Sequence, residues 1–298
     1  MLEGVQVHFL LLLMFLPLLL LQSAATVSTL TGTFRSPRLT ESSGVVVSRA
    51  HPGILWTHND SGDGPYLYAT DLRGTDRGAV RVSGAQAVDW EDIALGPCPR
   101  QRGDCLYIAD TGNNSLRRAS VRIYAVPEPD PPGEAVGTGR VTKAALALTV
   151  LYPSGPDDVE GLYVSPRDSA VYLVSKGRNG RVRLYRVSRA AWGTTGRVQA
   201  ELVQVLPITP KRTGRRLVTG AAARPDGALV AIRTYNEIYF FTPGPGGRLT
   251  PAAQPTCSIV GLERQGEAIA FRDQTTLILT SEGDPRGPGT IHTVRCPR

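Results

Sequence analysis

Lysine is scarce in this 298-residue chain: of 33 basic residues only Lys143, Lys176 and Lys211 are lysine, and the arginines are scattered from Arg35 to Arg298. No dense basic block exists, so the net charge of +7 does not point to nucleic acid, and a basic surface is the simpler reading. Histidine is equally thin, with only His51, His58 and His292 beyond the first 25 residues. Too few remain for a histidine-based zinc site, and a Ser-His-Asp hydrolase has little to build on. The chain also lacks a G-x-S-x-G elbow, a P-loop and a dinucleotide fingerprint. Helical periodicity never lasts beyond a couple of turns, which excludes a bundle. What remains is ordinary globular material, 41% hydrophobic and 20% charged, interrupted often by 32 glycines and 23 prolines.

One long apolar run is present, Phe9 to Leu21, and it is too short for a membrane helix, which needs about 20 residues. Ser23 and Ala25 supply the small residues that signal peptidase requires, so residues 1–25 are expected to be a signal peptide cleaved after Ala25. The segment carries Glu3 and no Lys or Arg, which keeps an uncleaved N-terminal anchor as the alternative. The expectation is a secreted protein without a stable membrane span, whose residues 26–298 form one domain. Cysteine usage agrees, because Cys98, Cys105, Cys257 and Cys296 make an even set. Three pairings are open to four cysteines. Cys98 and Cys105 flank a turn-rich stretch, which suggests a local bridge and leaves Cys257 to tie down Cys296.

Short β-branched and aromatic runs recur between Gly, Pro, Asn and Asp clusters, and they align as five copies of one unit. The first strands begin at Ser43, Glu91, Glu160, Thr219 and Glu267. Second strands follow from Ile54, Leu106, Val171, Leu229 and Leu277, and third strands from Tyr66, Val121, Val182, Ile238 and Thr290. Fourth strands are expected at Val80 to Ser83, Leu146 to Leu151, Leu202 to Leu206 and Ser258 to Gly261, with Ser28 to Phe34 completing the fifth copy. Four-stranded units at this spacing predict an all-β, five-bladed β-propeller whose N-terminal strand closes the last blade. A sixth blade within residues 127–143 is the alternative, although that stretch reads as a Pro/Gly-rich loop. Trp56, Trp90 and Trp192 are expected to pack between blades.

First strands line the channel of a propeller, so Ser43, Glu91, Glu160, Thr219 and Glu267 should form a ring of oxygen-bearing side chains. Three carboxylates brought together there need protons or a counter-ion, and calcium, which accepts many oxygens, suits them best. The competing reading has each Glu bonded to the backbone of the next blade. Loops opening at the same end add a rim of His58, Asn59, Asp60, Asp110, Asn113, Lys176, Arg178, Arg233 and Glu282. One half of that rim is acidic and amide-rich, and the other carries Lys176, Arg178 and Arg233, an arrangement suited to a small anionic ligand beside a cation. Turn chemistry alone also accounts for the Asp, Asn and Gly in these loops.

The axial order hydroxyl, Glu, Glu, hydroxyl, Glu resembles that of the calcium-activated nucleotidases (apyrases), and the turn Asn59-Asp60-Ser61-Gly62 is similar to their first-blade acidic turn. Thr219 departs mildly from the serine of that family. The resemblance implies a five-bladed propeller with one ligand per blade on a central calcium. The phrases Asp89-Trp90-Glu91-Asp92, Asp158-Val159-Glu160-Gly161 and Gly266-Glu267-Ala268 also resemble a group of exported bacterial propellers loosely named after phytases and esterases. Two functions are thereby expected: a metal-dependent hydrolase of a phosphoester or related anion, or a monomeric, non-catalytic propeller that binds a ligand or surface partner around a structural metal.

Overall fold

The computed structural model describes residues 25–133, 139–193, 196–211, 213 and 215–297, together with Met1. The apolar run Phe9 to Leu21 lies outside the described residues. Among the described residues, no helix is long and apolar enough to cross a membrane.

The described residues form five small sheets, and each begins at an innermost strand: Ser42–Val47, Trp90–Pro97, Val159–Val164, Val218–Ala223 and Gly266–Phe271. These strands are almost wholly buried, as expected for short runs of small and β-branched residues that face a channel on one edge and neighbouring blades on both faces. Each inner strand packs beside the next, and Gly266–Phe271 packs back against Ser42–Val47, so the ring closes. Antiparallel hairpins then carry each blade outward to its second and third strands. The protein is a five-bladed β-propeller.

Closure uses the N-terminus. Val27–Thr33 pairs antiparallel with Thr290–Arg295 and forms the outer strand of the fifth blade. Outer edges are managed by their neighbours, because an open edge invites pairing with another chain. Arg140–Val141, from the long connection after blade 2, adds in parallel to Ala79–Arg81 of blade 1. Arg197–Gln199 does the same for Leu146–Leu151 of blade 2. Arg140–Val141 therefore covers the edge of blade 1, and the described residues of 127–143 form no sixth blade. Blade 4 departs from expectation: its outer position is filled mainly by Leu249–Pro251, and Cys257–Ser258 contributes only a short second piece beside Glu237 and Ile238.

The core consists of five apolar clusters, one between each pair of adjacent blades. Trp56 and Trp90 lie between blades 1 and 2, and Trp192 lies between blades 2 and 3, edge-on to Tyr107. Disulfides join Cys98 to Cys105 and Cys257 to Cys296, the first closing the blade 2 hairpin and the second fastening the C-terminus to blade 4.

Candidate functional site

Each inner strand breaks register with its partner at one residue. Pairing skips from Ser42 to Gly44, from Trp90 to Asp92, from Val159 to Gly161, from Val218 to Gly220 and from Gly266 to Ala268. The residues left out are Ser43, Glu91, Glu160, Thr219 and Glu267. A β-bulge releases a residue from the ladder and re-aims its side chain, so five equivalent bulges set one ring.

The next residue in each blade forms a floor. Gly44, Gly161, Gly220 and Ala268 are small, and a Cβ on Gly161 or Gly220 would press on the inner strand of the following blade. Blade 2 instead carries Asp92, whose Oδ2 accepts hydrogen bonds from the amides of Leu162 (2.7 Å) and Ala221 (3.1 Å), while Oδ1 accepts from Ile93 (2.8 Å). One carboxyl group thus ties three blades together and occupies space that three glycines and an alanine leave. Beyond it, at the other end of the channel, is a cavity of about 200 Å³ lined by Val45, Leu95, Val164 and Phe271 together with Ser48, Arg49 and Arg272.

Above the floor the ring members differ in what they do. Ser43 donates its hydroxyl proton to the carbonyl of Glu91 (2.7 Å), and Thr219 donates to that of Glu267 (2.9 Å). Thr111 makes the same bond to Val159 (2.8 Å). The two hydroxyl ring members are therefore blade-to-blade ties, with only oxygen lone pairs left for a ligand. The acids gather instead. Carboxylate oxygens of Glu91, Asp158 and Glu160 lie within 4.8 Å of one another, all three residues buried, and those of Asp60, Asp89 and Glu91 form a second such group. Asp60 and Asp89, and likewise Glu91 and Glu160, therefore bring two carboxyl groups within 4.8 Å of each other. Glu267 Oε2 is buried and has no hydrogen-bond partner among the described residues.

Two further tiers follow from the repeat. Glu41, Asp89, Asp158, Leu217 and Gln265 stand two positions before the ring, and Asp60, Thr111, Lys176, Tyr235 and Glu282 follow the ends of the second strands. The tiers are bonded to each other: the amides of Asp60, Lys176 and Glu282 donate to the carbonyls of Glu41, Asp158 and Gln265. Asp89 and Asp158 join the site unexpectedly, although each sits at a fixed offset from a ring glutamate, and the two-residue period of a strand places them toward the same end.

Electrostatics set this cluster apart. Burial, reinforced by Glu160 and Asp60, holds the Glu91 carboxyl well above the usual carboxylate range. Burial and then Asp89 push Asp60 up to about 8, and burial and then Glu160 push Glu267 up to about 8. Glu282 rises to about 7 through burial and the nearby Glu41. Lys176 places its Nζ 2.7 Å from Glu160 Oε1. Burial disfavours its charge, but Glu160 outweighs that and raises the ammonium above the ordinary lysine range.

The expected rim divides accordingly. Asp60, Lys176 and Glu282 belong to the acidic cup. The remaining residues are held by partners of their own, some of them acids of the cup. Asn59 lies inside the strand Leu55–Asn59; its Oδ1 accepts from the amides of Thr40 and Glu41, and its Nδ2 donates to Arg38 and Asp63. His58 is fully buried edge-on to Trp90, and burial lowers it to about 4, so it is neutral. Asp110 is held by Arg118 (2.9 Å) and the Asp89 amide (3.1 Å). Asn113 braces its own loop through Arg118, and it also reaches blade 3, its amide donating to Asp158 Oδ1 (2.8 Å) and its Nδ2 to the Asp157 carbonyl (3.3 Å). Arg178 binds Asp158 (2.6 Å) and Asn114. Arg233 is buried between blades 4 and 5, where it bonds the carbonyls of Ala268 and Thr280 and pairs with Glu263. The basic half-rim expected from the sequence is therefore reduced to Lys176, because strand residues and neutralised pairs account for the others.

No protein-family model matches the sequence, and no curated protein matches it. Among solved structures, the chain is similar to one described as the structure of the Dos1 propeller, at 12% identity and a TM-score of 0.38. That likeness covers 84% of this chain and 56% of the other, so the chain spans little more than half of its length. The five sheets themselves establish the propeller.

Proposed function

We propose that the channel mouth binds a hard divalent cation, calcium foremost, through Glu91, Glu160 and Glu267 of the ring together with Asp60, Asp89 and Asp158, with Ser43 and Thr219 oxygens at its margin. One observation carries this reading: buried carboxylates of Glu91, Asp158 and Glu160 stand within 4.8 Å of one another. Two like charges about 4 Å apart repel by roughly 4 kcal/mol at an effective dielectric of about 20, so the cluster favours either protons or a cation. Its donors are all oxygen, which suits calcium, with its about six to eight oxygen ligands, and not zinc or copper. The unpartnered Oε2 of Glu267 and Oδ1 of Asp60 leave donor capacity unused by the protein. Calorimetric titration of chelator-treated protein with calcium tests the reading; saturable binding supports it, and no binding refutes it.

Binding without hydrolysis is the form of this function that the mouth favours. An anionic substrate would need free cationic groups, yet Arg178 is paired with Asp158, Arg233 is buried and Lys176 is neutralised by Glu160. A hydrolase would recruit its substrate through the cation itself, with a carboxyl group such as Asp60 as base. Assay of nucleotides, phytate and simple esters in the presence of calcium separates the two forms. Two disulfides suit an oxidising compartment and support export.

A further inference from the structure

We infer that Lys176 is a tethered cation that occupies the acidic cup until a divalent ion displaces it, and that this exchange makes the cup discriminate against monovalent ions. The inference rests on the cation site proposed above. Lys176 is buried, whereas Lys143 and Lys211 are exposed, so in a chain that otherwise uses arginine the one buried lysine sits among these carboxyl groups. The choice has a physical reason. An ammonium is a compact point charge of roughly the size of an inorganic cation, while a guanidinium is a flat, spread charge whose donors reach separate partners, as those of Arg178 do at Asp158 and Asn114.

The backbone presents this ammonium at a fixed place. The amide of Lys176 donates to Asp158 (2.8 Å), its carbonyl accepts from Val218 (3.1 Å), and Gly177 follows with φ near +87°, packed against Pro210. With both ends of its peptide held, the side chain reaches Glu160 at 2.7 Å from a neighbouring strand of the same blade. It therefore competes with a free ion at the high effective concentration of a group on a short tether. Sodium or potassium brings the same single charge and loses that competition. A divalent ion brings twice the charge to Glu91, Asp158 and Glu160 together, and the long lysine stem can swing its head out to solvent.

Calcium titration of the wild type and of Lys176→Met, with and without sodium at physiological strength, tests this. The expected result is calcium binding at least about tenfold tighter in Lys176→Met, with sodium competing in the variant and hardly at all in the wild type. Lys176→Gln serves as a second neutral variant should Lys176→Met not melt cooperatively. Equal or weaker calcium binding in the neutral variant, or identical sodium sensitivity, overturns the exchange while the cation site stands. Absence of calcium binding in wild type and variant alike overturns the site and the exchange together.

Discussion

Gly112 lies directly against Glu91: a Cβ placed on it would collide with Glu91 Oε1 and with Asp89 Oδ2. Its backbone is outside the left-handed region, so the glycine answers a need for space beside the carboxyl groups and not for an unusual φ. The turn Asp110-Thr111-Gly112 is thereby part of the cup wall. Gly112→Ala is expected to lower calcium affinity by about tenfold or more while the far-ultraviolet spectrum stays that of a sheet protein. Unchanged affinity by calorimetry would separate Gly112 from the site.

Glu160 and Asp110 are both buried acids, but they face different partners. Glu160 shares its neighbourhood with Glu91, Asp158 and Lys176, whereas Asp110 is satisfied by Arg118 and the Asp89 amide. Glu160→Gln should weaken calcium binding more than Asp110→Asn does, and Asp110→Asn should act mainly by lowering the melting temperature. The reverse order of affinities would move the site away from the ring.

Stability should depend on pH in a direction set by the cup. Asp60 and Glu267 ionise at 3.8 and 4.5 in an ordinary setting and hold their protons up to about 8 in the fold. Between those limits the folded protein binds more protons than the unfolded chain, so stability falls as pH rises and levels off above about 8. His58 acts only lower down: its folded value of about 4 is below the ordinary 6.5, so it costs stability as pH falls through that interval. Without divalent ions, the melting temperature should be several degrees lower near pH 8.5 than near pH 6.5, and calcium should restore it most at the higher pH. A melting temperature that rises over this interval in chelator would contradict the raised carboxyl groups.

Ring closure depends on both ends of the chain. Loss of Val27–Thr33 would bare the edge of Thr290–Arg295, and loss of the Cys257–Cys296 bond would free the C-terminus that carries it. Replacing both Cys257 and Cys296 by Ala should cost about 4 kcal/mol on the loop-closure account, against about 2 for the shorter Cys98–Cys105 loop. Denaturant unfolding of the two double variants checks the order.

The blade repeat is legible because its strands are short apolar runs in a recurring order, with blade starts 48 to 69 residues apart, and the ring residues begin those runs. The bulges that isolate Ser43, Glu91, Glu160, Thr219 and Glu267 carry no mark in composition, so their local mechanism emerged only from pairing. Strand ends were harder to read. His58, Asn59, Asp110 and Arg233 belong to second strands that run one or two residues past their apolar stretch. Buried hydrogen bonds sustain pairing there without hydrophobic residues, so the polar side chains of these strand ends resemble loop and rim in the sequence. Asp89 and Asp158 were visible as acids two positions before ring glutamates, an offset whose meaning lies in the strand period. Asp92 could not be assigned from sequence, because its role comes from Leu162 and Ala221 in other blades.

Calorimetric titration of chelator-treated wild type with calcium, repeated on Glu91→Gln, tests the central claim most directly, since Glu91 belongs to both carboxylate groups. The account predicts one ion bound per chain by the wild type and affinity at least about tenfold weaker in the variant. A wild type that takes up no calcium, or a variant that binds it equally well, would contradict it.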